Sequence, residues 1–350
     1  MHNDMEKITF VVPVYNPDLK YFGMCLDSLV HQTYDNYDVI LVNDGSTNGA
    51  EELCRDYADA NENFTVINRK NEGVSAARNA GVSYTSESKW IAFIDSDDRI
   101  REDSVEFLTE YLKDKDSDIV FYGSVKCEGD VESVHCPLSY EERESLGAEE
   151  KREILLDLIA EGFQKKGVSE GFLNVWSKVF RTEFLKENGI CFNEKMTVAE
   201  DVTFLIECML KERNGVAFVK EPLYIRQIDP TSAGHRYHPE IVENDKEFLK
   251  NMKELVADSS DEDITKAMRK RYVICLIGVA KFDMCHRDNP KKFGERVQDL
   301  RRLAEKNPYK VGIKKCELKD FSKKNQMKII LLRCHMESLF VLEQDLKRRR

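Results

Sequence analysis

The segment Trp90-Ile91-Ala92-Phe93-Ile94-Asp95-Ser96-Asp97-Asp98 joins a continuous apolar run to three carboxylates in four positions. The apolar run predicts a buried β-strand, so the acidic cluster lies at the carboxyl end of that strand. Neighbouring carboxylates repel one another, and a divalent cation relieves the repulsion. Mg²⁺ and Mn²⁺ prefer oxygen ligands and are commonly held by one or two carboxylates and substrate phosphates. The segment therefore indicates a metal-bound phosphate compound; the alternative is a solvated acidic turn that caps the next helix.

Strand-like and helix-like segments alternate over the first 125 residues. Apolar runs predict five strands, and segments with helical spacing separate them. The predicted strands are Ile8–Val14, Asp38–Val42, Phe64–Ile67, Trp90–Ile94 and Ile119–Tyr122. Apolar strands that alternate with helices predict an α/β fold, in which helices cover both faces of a mostly parallel sheet. Such a sheet binds its ligands at the carboxyl ends of its strands.

Polar and glycine-rich loops also follow the first three predicted strands. They are Pro13-Val14-Tyr15-Asn16-Pro17, Asn43-Asp44-Gly45-Ser46 and Asn71-Glu72-Gly73. Because the carboxyl ends of parallel strands meet at one edge of a sheet, these loops and the acidic cluster predict a single site. Neither a GxGxxG sequence after the first strand nor a Walker A lysine occurs, so neither a dinucleotide site nor a P-loop is predicted.

The composition is typical of a soluble globular protein, with 350 residues, 41 % of them apolar and 33 % charged. The length predicts two domains, and the loss of strand signals places a boundary near residue 236. The net charge of −11 argues against a general nucleic-acid binder. The N-terminal apolar stretch is too short for a secretory leader. The ten cysteines form no CxxC pair, so we expect free thiols in the cytoplasm.

Five pieces of the sequence occur in an order that resembles the family 2 glycosyltransferases. They are Val11-Val12-Pro13-Val14-Tyr15-Asn16, Val42-Asn43-Asp44-Gly45-Ser46, Asn71-Glu72-Gly73-Val74-Ser75-Ala76-Ala77-Arg78-Asn79, Asp95-Ser96-Asp97-Asp98 and Glu200-Asp201. The resemblance implies a GT-A fold over residues 1–236, with a nucleotide-binding half at 1–125 and an acceptor half at 126–236. A helical region at 237–350 follows. The implied reaction moves a sugar from a nucleotide diphosphate to an acceptor hydroxyl.

The resemblance implies that the acidic cluster holds Mn²⁺ or Mg²⁺ against the departing diphosphate. Asp97 is the preferred ligand, and Asp95 or Asp98 would hold the ion's water or the ribose hydroxyls. His235 is a further candidate ligand, and its alternative is a plain surface histidine.

Glu200 and Asp201 are expected to act on the acceptor. By resemblance, Asp201 is the general base that takes the proton of the attacking hydroxyl, and Glu200 orients the loop or the acceptor. In-line attack would then invert the anomeric centre. The alternative is an acidic helix N-terminus, where the helix dipole favours carboxylates.

The resemblance places the nucleotide over the first three strands. Tyr15 would pack on the base, and Asp44 would accept a hydrogen bond from an imide N–H of the base, which suggests uracil and a UDP-sugar. Arg78 would stack on the base or pair with phosphate; the alternative for Tyr15 and Arg78 is ordinary surface packing. The other donor-binding residues that the resemblance implies are Pro13, Val14, Asn16, Gly73, Asp95, Ser96 and Arg226, and Arg226 would touch phosphate. Trp176 would stack on a sugar ring or fill the core.

The C-terminal segment 325–346 is predicted to form one helix with a broad apolar face. That face carries Ile329, Leu332, Met336, Leu339 and Phe340, and the sequence ends in Lys347-Arg348-Arg349-Arg350. A basic amphipathic helix can lie on an anionic membrane, which would suit a lipid-linked saccharide as acceptor. The alternatives are a helix packed on its own domain with a solvated tail, and a homodimer contact.

Two rival functions remain. A sugar-nucleotide pyrophosphorylase carries a glycine-rich loop after its first strand, and Pro13-Val14-Tyr15-Asn16-Pro17 contains no glycine. A catalytically inactive binding protein of the same fold is the second rival, and the retained aspartates at 95, 97, 98 and 201 argue against it. Assembly of a surface polysaccharide is the implied context.

Overall fold

A computed structural model describes residues 6–113, 115–128, 131–135, 145–160, 173–228 and 237–348. Its strands are β1 (Ile8–Val14), β2 (Tyr37–Asn43), β3 (Phe64–Asn68), β4 (Trp90–Phe93), β5 (Arg99–Ile100), β6 (Ile119–Glu128), β7 (Val131–His135), β8 (Lys178–Arg181) and β9 (Val216–Gln227). The helices between the strands are α1 (Leu19–Val30), α2 (Ala50–Ala60), α3 (Val74–Tyr84), α4 (Ser104–Leu112), α5 (Ala148–Ile159), α6 (Thr182–Glu187) and α7 (Glu200–Lys211). The remaining helices are α8 (Ile241–Leu255), α9 (Glu262–Val279), α10 (Phe293–Ala304), α11 (Tyr309–Lys315), α12 (Lys323–Arg333) and α13 (Glu337–Arg348).

The described residues fall into two compact units. The first lies within Met1–Arg152 and Val168–Pro230, and the second lies within Glu153–Gly167 and Thr231–Arg350. The first unit contains the sheet, and the described part of the second unit is helical. The predicted division of the first unit into a nucleotide-binding half and an acceptor half stays a prediction.

The sheet of the first unit is mixed. Its strand order is β3-β2-β1-β4-β8-β6-β9-β5, and β7 pairs with β6. Strands β1 to β4 run parallel to one another, as predicted. Strand β8 runs antiparallel to both β4 and β6 and lies between them. Sequence reasoning missed β8 because it has only four residues and begins and ends with a cation.

Strand β1 is buried along its whole length because helices cover both faces of the sheet there. Phe10 and Val12 belong to a core cluster with Phe22 and Leu26 of α1. Side chains alternate along a strand, so Val11 points to the opposite face, where it meets α3. The two elements pack so closely that a Cβ at Gly81 of α3 would lie 2.3 Å from Cγ1 of Val11.

The second unit buries its own apolar residues between helices. One cluster contains Val273, Ile277, Cys316, Phe321 and Ile329. No helix in the described ranges is both long and apolar enough to cross a membrane.

The predicted single helix over 325–346 is wrong. The segment forms two helices, α12 and α13, and His335 between them has a φ of +54°. The predicted apolar face is divided as well, since Ile329, Leu332 and Phe340 are buried while Met336 and Leu339 are exposed.

Candidate active site

The loops after β1 and β2 are tied together at the carboxyl edge of the sheet. The backbone N–H of Asn16 donates to Oγ of Ser46 at 3.1 Å, and Oδ1 of Asn16 accepts from the backbone N–H of Thr47 at 2.7 Å. Asn16 has a φ of +45°, a conformation that asparagine tolerates better than most residues. The neighbouring Tyr15 side chain is 55 % exposed, so it is accessible to a ligand at this edge.

Asp44 holds the third loop in place. Its buried carboxylate accepts hydrogen bonds from the backbone N–H of Gly73 at 2.8 Å and of Glu72 at 3.1 Å. Gly73 has a φ of +96°, which favours glycine at this turn. This positioning role was not foreseen from the sequence, and the predicted hydrogen bond from a base to Asp44 stays a prediction.

Arg78 lies at the centre of the site. One terminal nitrogen of its buried guanidinium donates to Oδ1 of Asp201 at 2.6 Å and to Oε1 of Glu200 at 3.2 Å. The other donates to Oδ1 of Asp95 at 3.0 Å, and the guanidinium carbon lies 5.3 Å from the ring centroid of Phe192. The structure therefore brings together the two acidic pieces of the sequence, and it does so through Arg78.

This geometry corrects the role predicted for Arg78. The side chain is 4 % exposed and both terminal nitrogens bind carboxylates, so it does not face a base or a phosphate. The burial of Arg78 also excludes the alternative of ordinary surface packing. A fixed, fork-shaped cation is suited to holding several carboxylates at once.

Asp201 and Glu200 begin α7, directly after a strained residue. Ala199 has a φ of +62°, which turns the chain sharply into the helix. The second oxygen of Asp201 accepts from the backbone N–H of Val175 at 3.2 Å. Burial raises the pKa of Asp201 to about 7, although the charge of Arg78 opposes the shift. A carboxylate with this pKa and a side chain still 13 % exposed can take a proton from a hydroxyl near neutral pH.

Within the acidic cluster, Asp98 faces the protein. Its buried carboxylate accepts from the hydroxyl of Tyr224 at 2.6 Å and from the backbone N–H of Gln227 at 2.7 Å. Burial and the charges of Asp95 and Asp97 hold the pKa of Asp98 well above its usual range. Since both oxygens are engaged inward, the structure does not support Asp98 as a metal ligand or a ribose contact.

Asp95 and Asp97 fit a divalent ion better. The Asp95 side chain is 33 % exposed and Asp97 is exposed, so both carboxylates can reach a ligand at the edge of the sheet. In the described part of the chain, no three His, Cys, Asp or Glu side chains form a complete metal site. A pair of carboxylates is nevertheless the usual protein share of a site that phosphate and water complete. His235 lies outside the described residues.

The remaining predicted residues divide between the core and the edge. Pro13 and Val14 are buried in β1, so only their backbone is at the edge, while Ser96 is half-buried. Trp176 is 4 % exposed and stacks on Tyr224 with ring centroids 4.9 Å apart, which supports the core alternative over a sugar platform. The Arg226 guanidinium lies 5.7 Å from the Trp176 ring centroid.

Lys178 is a site residue whose role sequence reasoning missed. It is fully buried in β8, and its ammonium donates to the carbonyl oxygens of Asn174 at 2.5 Å and Trp176 at 3.2 Å. These carbonyls flank Val175, whose N–H binds Asp201. Lys178 therefore fixes the loop that holds the second oxygen of Asp201, and burial lowers the pKa of Lys178 to about 7. The signal was a lone lysine between the apolar pairs 175–176 and 179–180.

Comparison with known families identifies the domain. The family described as "Glycosyl transferase family 2" matches residues 9–182. Residues 9–182 form a domain of glycosyltransferase family 2. The resemblance stated from the sequence is therefore confirmed.

Among the family 2 relatives, glycosyltransferase GlyA of Streptococcus pneumoniae is 39 % identical over 127 residues, which are 35 % of this chain and 18 % of that protein. The uncharacterized glycosyltransferase EpsJ of Bacillus subtilis is 30 % identical over 226 residues, 64 % of this chain and 62 % of that protein. The chain thus spans less than two thirds of the length of these relatives.

Solved structures share the fold. The S. aureus TarS 1–349 structure in complex with UDP-GlcNAc is 18 % identical with a TM-score of 0.65, and the match covers 98 % of this chain and 92 % of that one. The mannosyltransferase PcManGT of Pyrobaculum calidifontis, in complex with GDP-Man and Mn²⁺, is 12 % identical with a TM-score of 0.50. That match covers 100 % of this chain and 89 % of that one. The predicted GT-A fold is confirmed.

Proposed function

We propose that the chain transfers a sugar from a nucleotide diphosphate sugar to an acceptor hydroxyl, and that the nucleotide is UDP. The observation that carries the proposal is the set of hydrogen bonds from Arg78 to Asp95, Glu200 and Asp201. They support the proposal because they join Asp201, which we propose as the base, to Asp95, which we propose as part of the metal and diphosphate site, and a transfer between two bound substrates requires such proximity.

Asp201 acts on the acceptor. Its raised pKa, with a value of about 7, lets it accept the hydroxyl proton as the oxygen attacks, and Arg78 and Val175 fix the two carboxylate oxygens. Glu200 binds the same terminal nitrogen of Arg78 as Asp201 does, and it orients the acceptor. Because Asp201 acts as a base and not as a nucleophile, a single in-line displacement inverts the anomeric centre.

Asp95 and Asp97 act on the donor. They would hold Mn²⁺ or Mg²⁺, which when bound supplies positive charge that stabilises the departing diphosphate. Asp98 fixes the backbone of the cluster through Tyr224, whose hydroxyl also accepts from the N–H of Asp95 at 3.2 Å. Tyr15 covers the base at the exposed edge.

The donor and acceptor classes are supported by similar proteins. TarS was solved with UDP and with UDP-GlcNAc, and PcManGT with GDP-Man, so UDP is the first nucleotide to test and GDP the second. One relative, GgaB of Bacillus subtilis, is a minor teichoic acid biosynthesis protein, 28 % identical over 219 residues. A glycan or lipid-linked saccharide of a surface polymer is accordingly the acceptor we propose.

We also propose a cytoplasmic location. All nine cysteines among the described residues are free thiols, and seven of them are buried. Free cysteines are typical of a reducing compartment.

The test separates binding from transfer. Thermal unfolding is followed with UDP and Mn²⁺ together, and release of UDP from a panel of UDP-sugars is then measured with saccharide acceptors. We expect UDP with metal to raise the melting temperature, Asp97→Asn to remove most of that rise, and Asp201→Asn to keep the rise but lose transfer. Asp116→Asn is the surface control, since its side chain is 97 % exposed.

Three results would count against the proposal. Unchanged transfer by Asp201→Asn would remove that residue as the base. If no nucleoside diphosphate raised the melting temperature, with or without metal, the proposed donor site would be rejected. Binding of UDP without transfer by the unmodified chain, across the panel, would support the rival function of an inactive binding protein.

A further inference from the structure

The last two helices of the second unit expose a row of large apolar side chains. Those with more than 40 % exposure are Met327, Ile330, Met336, Leu339, Leu342 and Leu346. We call these six residues the apolar stripe. Scattered exposed apolar residues are normal, but six within a segment of 20 residues are not scattered.

Helical geometry places five members of the stripe on one side of their helix, and Met336 lies between α12 and α13. Residues three, four and seven apart share a helix face. Leu339, Leu342 and Leu346 follow this spacing on α13, and Met327 and Ile330 follow it on α12. Leu339 and Leu346 are seven residues apart on α13, so its exposed leucines form a strip about 10 Å long.

The leucines of α13 face solvent because the opposite face of the helix is fixed by other contacts. Arg296 of α10 donates to both oxygens of Asp345, at 2.9 and 2.7 Å, and Arg301 donates to the buried Glu337 at 3.1 Å. Phe340 and Val341 fill the remaining space on that face. A rotation that buried the leucines would break these pairs, so their exposure is built into the fold.

The surroundings of the stripe are basic. Residues 314–350 contain 11 Lys and Arg against five Asp and Glu, whereas the whole chain has a net charge of −11. Lys323 and Lys324 begin α12 and are exposed, as are Lys314 and Lys315 before it. Two copies of a segment with this charge would repel each other, which disfavours a homodimer through the same face.

We propose that α12 and α13 dock on the surface of an anionic lipid bilayer, with the apolar stripe at the acyl boundary and the lysines at the headgroups. Apolar burial and attraction to anionic lipid act together in such helices. This proposal does not depend on the reaction that the first unit catalyses.

The test is sedimentation of the full chain with vesicles of phosphatidylcholine, with and without phosphatidylglycerol. We expect binding to the anionic vesicles, little binding to the neutral ones, and loss of binding in salt. Leu342→Gln combined with Leu346→Gln should weaken binding roughly a hundredfold, because two leucines lose their apolar burial. Lys323→Gln and Lys324→Gln should each weaken it about fivefold.

The control and the contrary outcomes are equally specific. Leu210→Gln replaces a leucine with 40 % exposure on α7 of the first unit and should leave binding unchanged. Circular dichroism melts of each variant check that the helices remain folded. Absence of binding to anionic vesicles would overturn the proposal. So would a dimer in sedimentation velocity that the double leucine variant dissolves, because a second copy would then cover the stripe.

Discussion

Replacing Arg78 with methionine is the sharpest test of the site. Methionine keeps an unbranched apolar stem but removes the guanidinium that binds Asp95, Glu200 and Asp201. The Arg78 side chain is 4 % exposed and those of Glu200 and Asp201 are 13 % exposed, so the variant leaves two carboxylates poorly solvated. Removing one partner of a buried ion pair costs about 3–5 kcal/mol. Asp95 is one-third exposed and adds little to that cost.

The measurement can be confined to the first unit. The chain has two tryptophans, Trp90 and Trp176, and both lie in that unit. Urea unfolding measured by tryptophan fluorescence therefore follows the unfolding of the first unit. Arg101→Met is the matched control, because Arg101 also pairs with two carboxylates but is 34 % exposed, and its loss should cost about 1 kcal/mol or less.

The effect of Arg78→Met should depend on pH. Arg78 lowers the pKa of Asp201, so its removal lifts that pKa further above about 7. The folded variant then binds protons that the unfolded chain, with carboxyl pKa values near 4, does not bind. The destabilisation should be largest at about pH 8 and shrink toward about pH 5.5. A loss below about 1 kcal/mol at pH 8, or a loss equal at both pH values, would refute the charge argument.

Three further predictions concern the packing, the backbone and a buried carboxyl group. Gly81→Ala should cost about 1–3 kcal/mol in the same fluorescence assay, since its Cβ would meet Val11 at 2.3 Å, whereas Gly23→Ala meets nothing within 4 Å and should be neutral or stabilising. Ala199→Gly should leave stability unchanged or raise it by about 1 kcal/mol, because glycine adopts a φ of +62° without strain; a clear loss would contradict this. Burial raises the pKa of Asp245 to about 7, so the second unit should lose stability as pH rises from about 4 to 7, by at most about 4 kcal/mol. Asp245→Asn should abolish that slope in circular dichroism melts, and an unchanged slope would assign it to another group.

The sequence predicted the parallel half of the sheet because each of its strands is a continuous apolar run. The predicted strand at 90–94 and the observed β4 differ by one residue. Strand β8 offered no comparable run, and its position between β4 and β6 depends on pairings with distant segments. The break at His335 was also hidden, because apolar spacing continues across it.

The site was predictable in its parts but not in its connections. Motifs in the sequence indicated Arg78, the acidic cluster and Asp201, yet no local pattern shows that the Arg78 guanidinium binds Asp95, Glu200 and Asp201. The inward orientation of Asp98 is set by Tyr224 and Gln227, which lie more than 125 positions further along the chain. Long-range contacts of this kind leave no periodic signal in the sequence.

The separation of Arg78 from its partners sets the order in which the protein can be completed during synthesis. Glu200 and Asp201 follow Arg78 by 122 and 123 positions. At about 5–20 residues per second, the ribosome needs roughly 6 to 25 s to supply them. During that interval a nascent domain that buried Arg78 could pair it with Asp95 only, and β4 would present an open edge until β8 emerged. A fragment that stops at residue 182, where the family match ends, would include β8 and Asp95 but would lack Glu200 and Asp201, so one terminal nitrogen of Arg78 would lose both of its carboxylates.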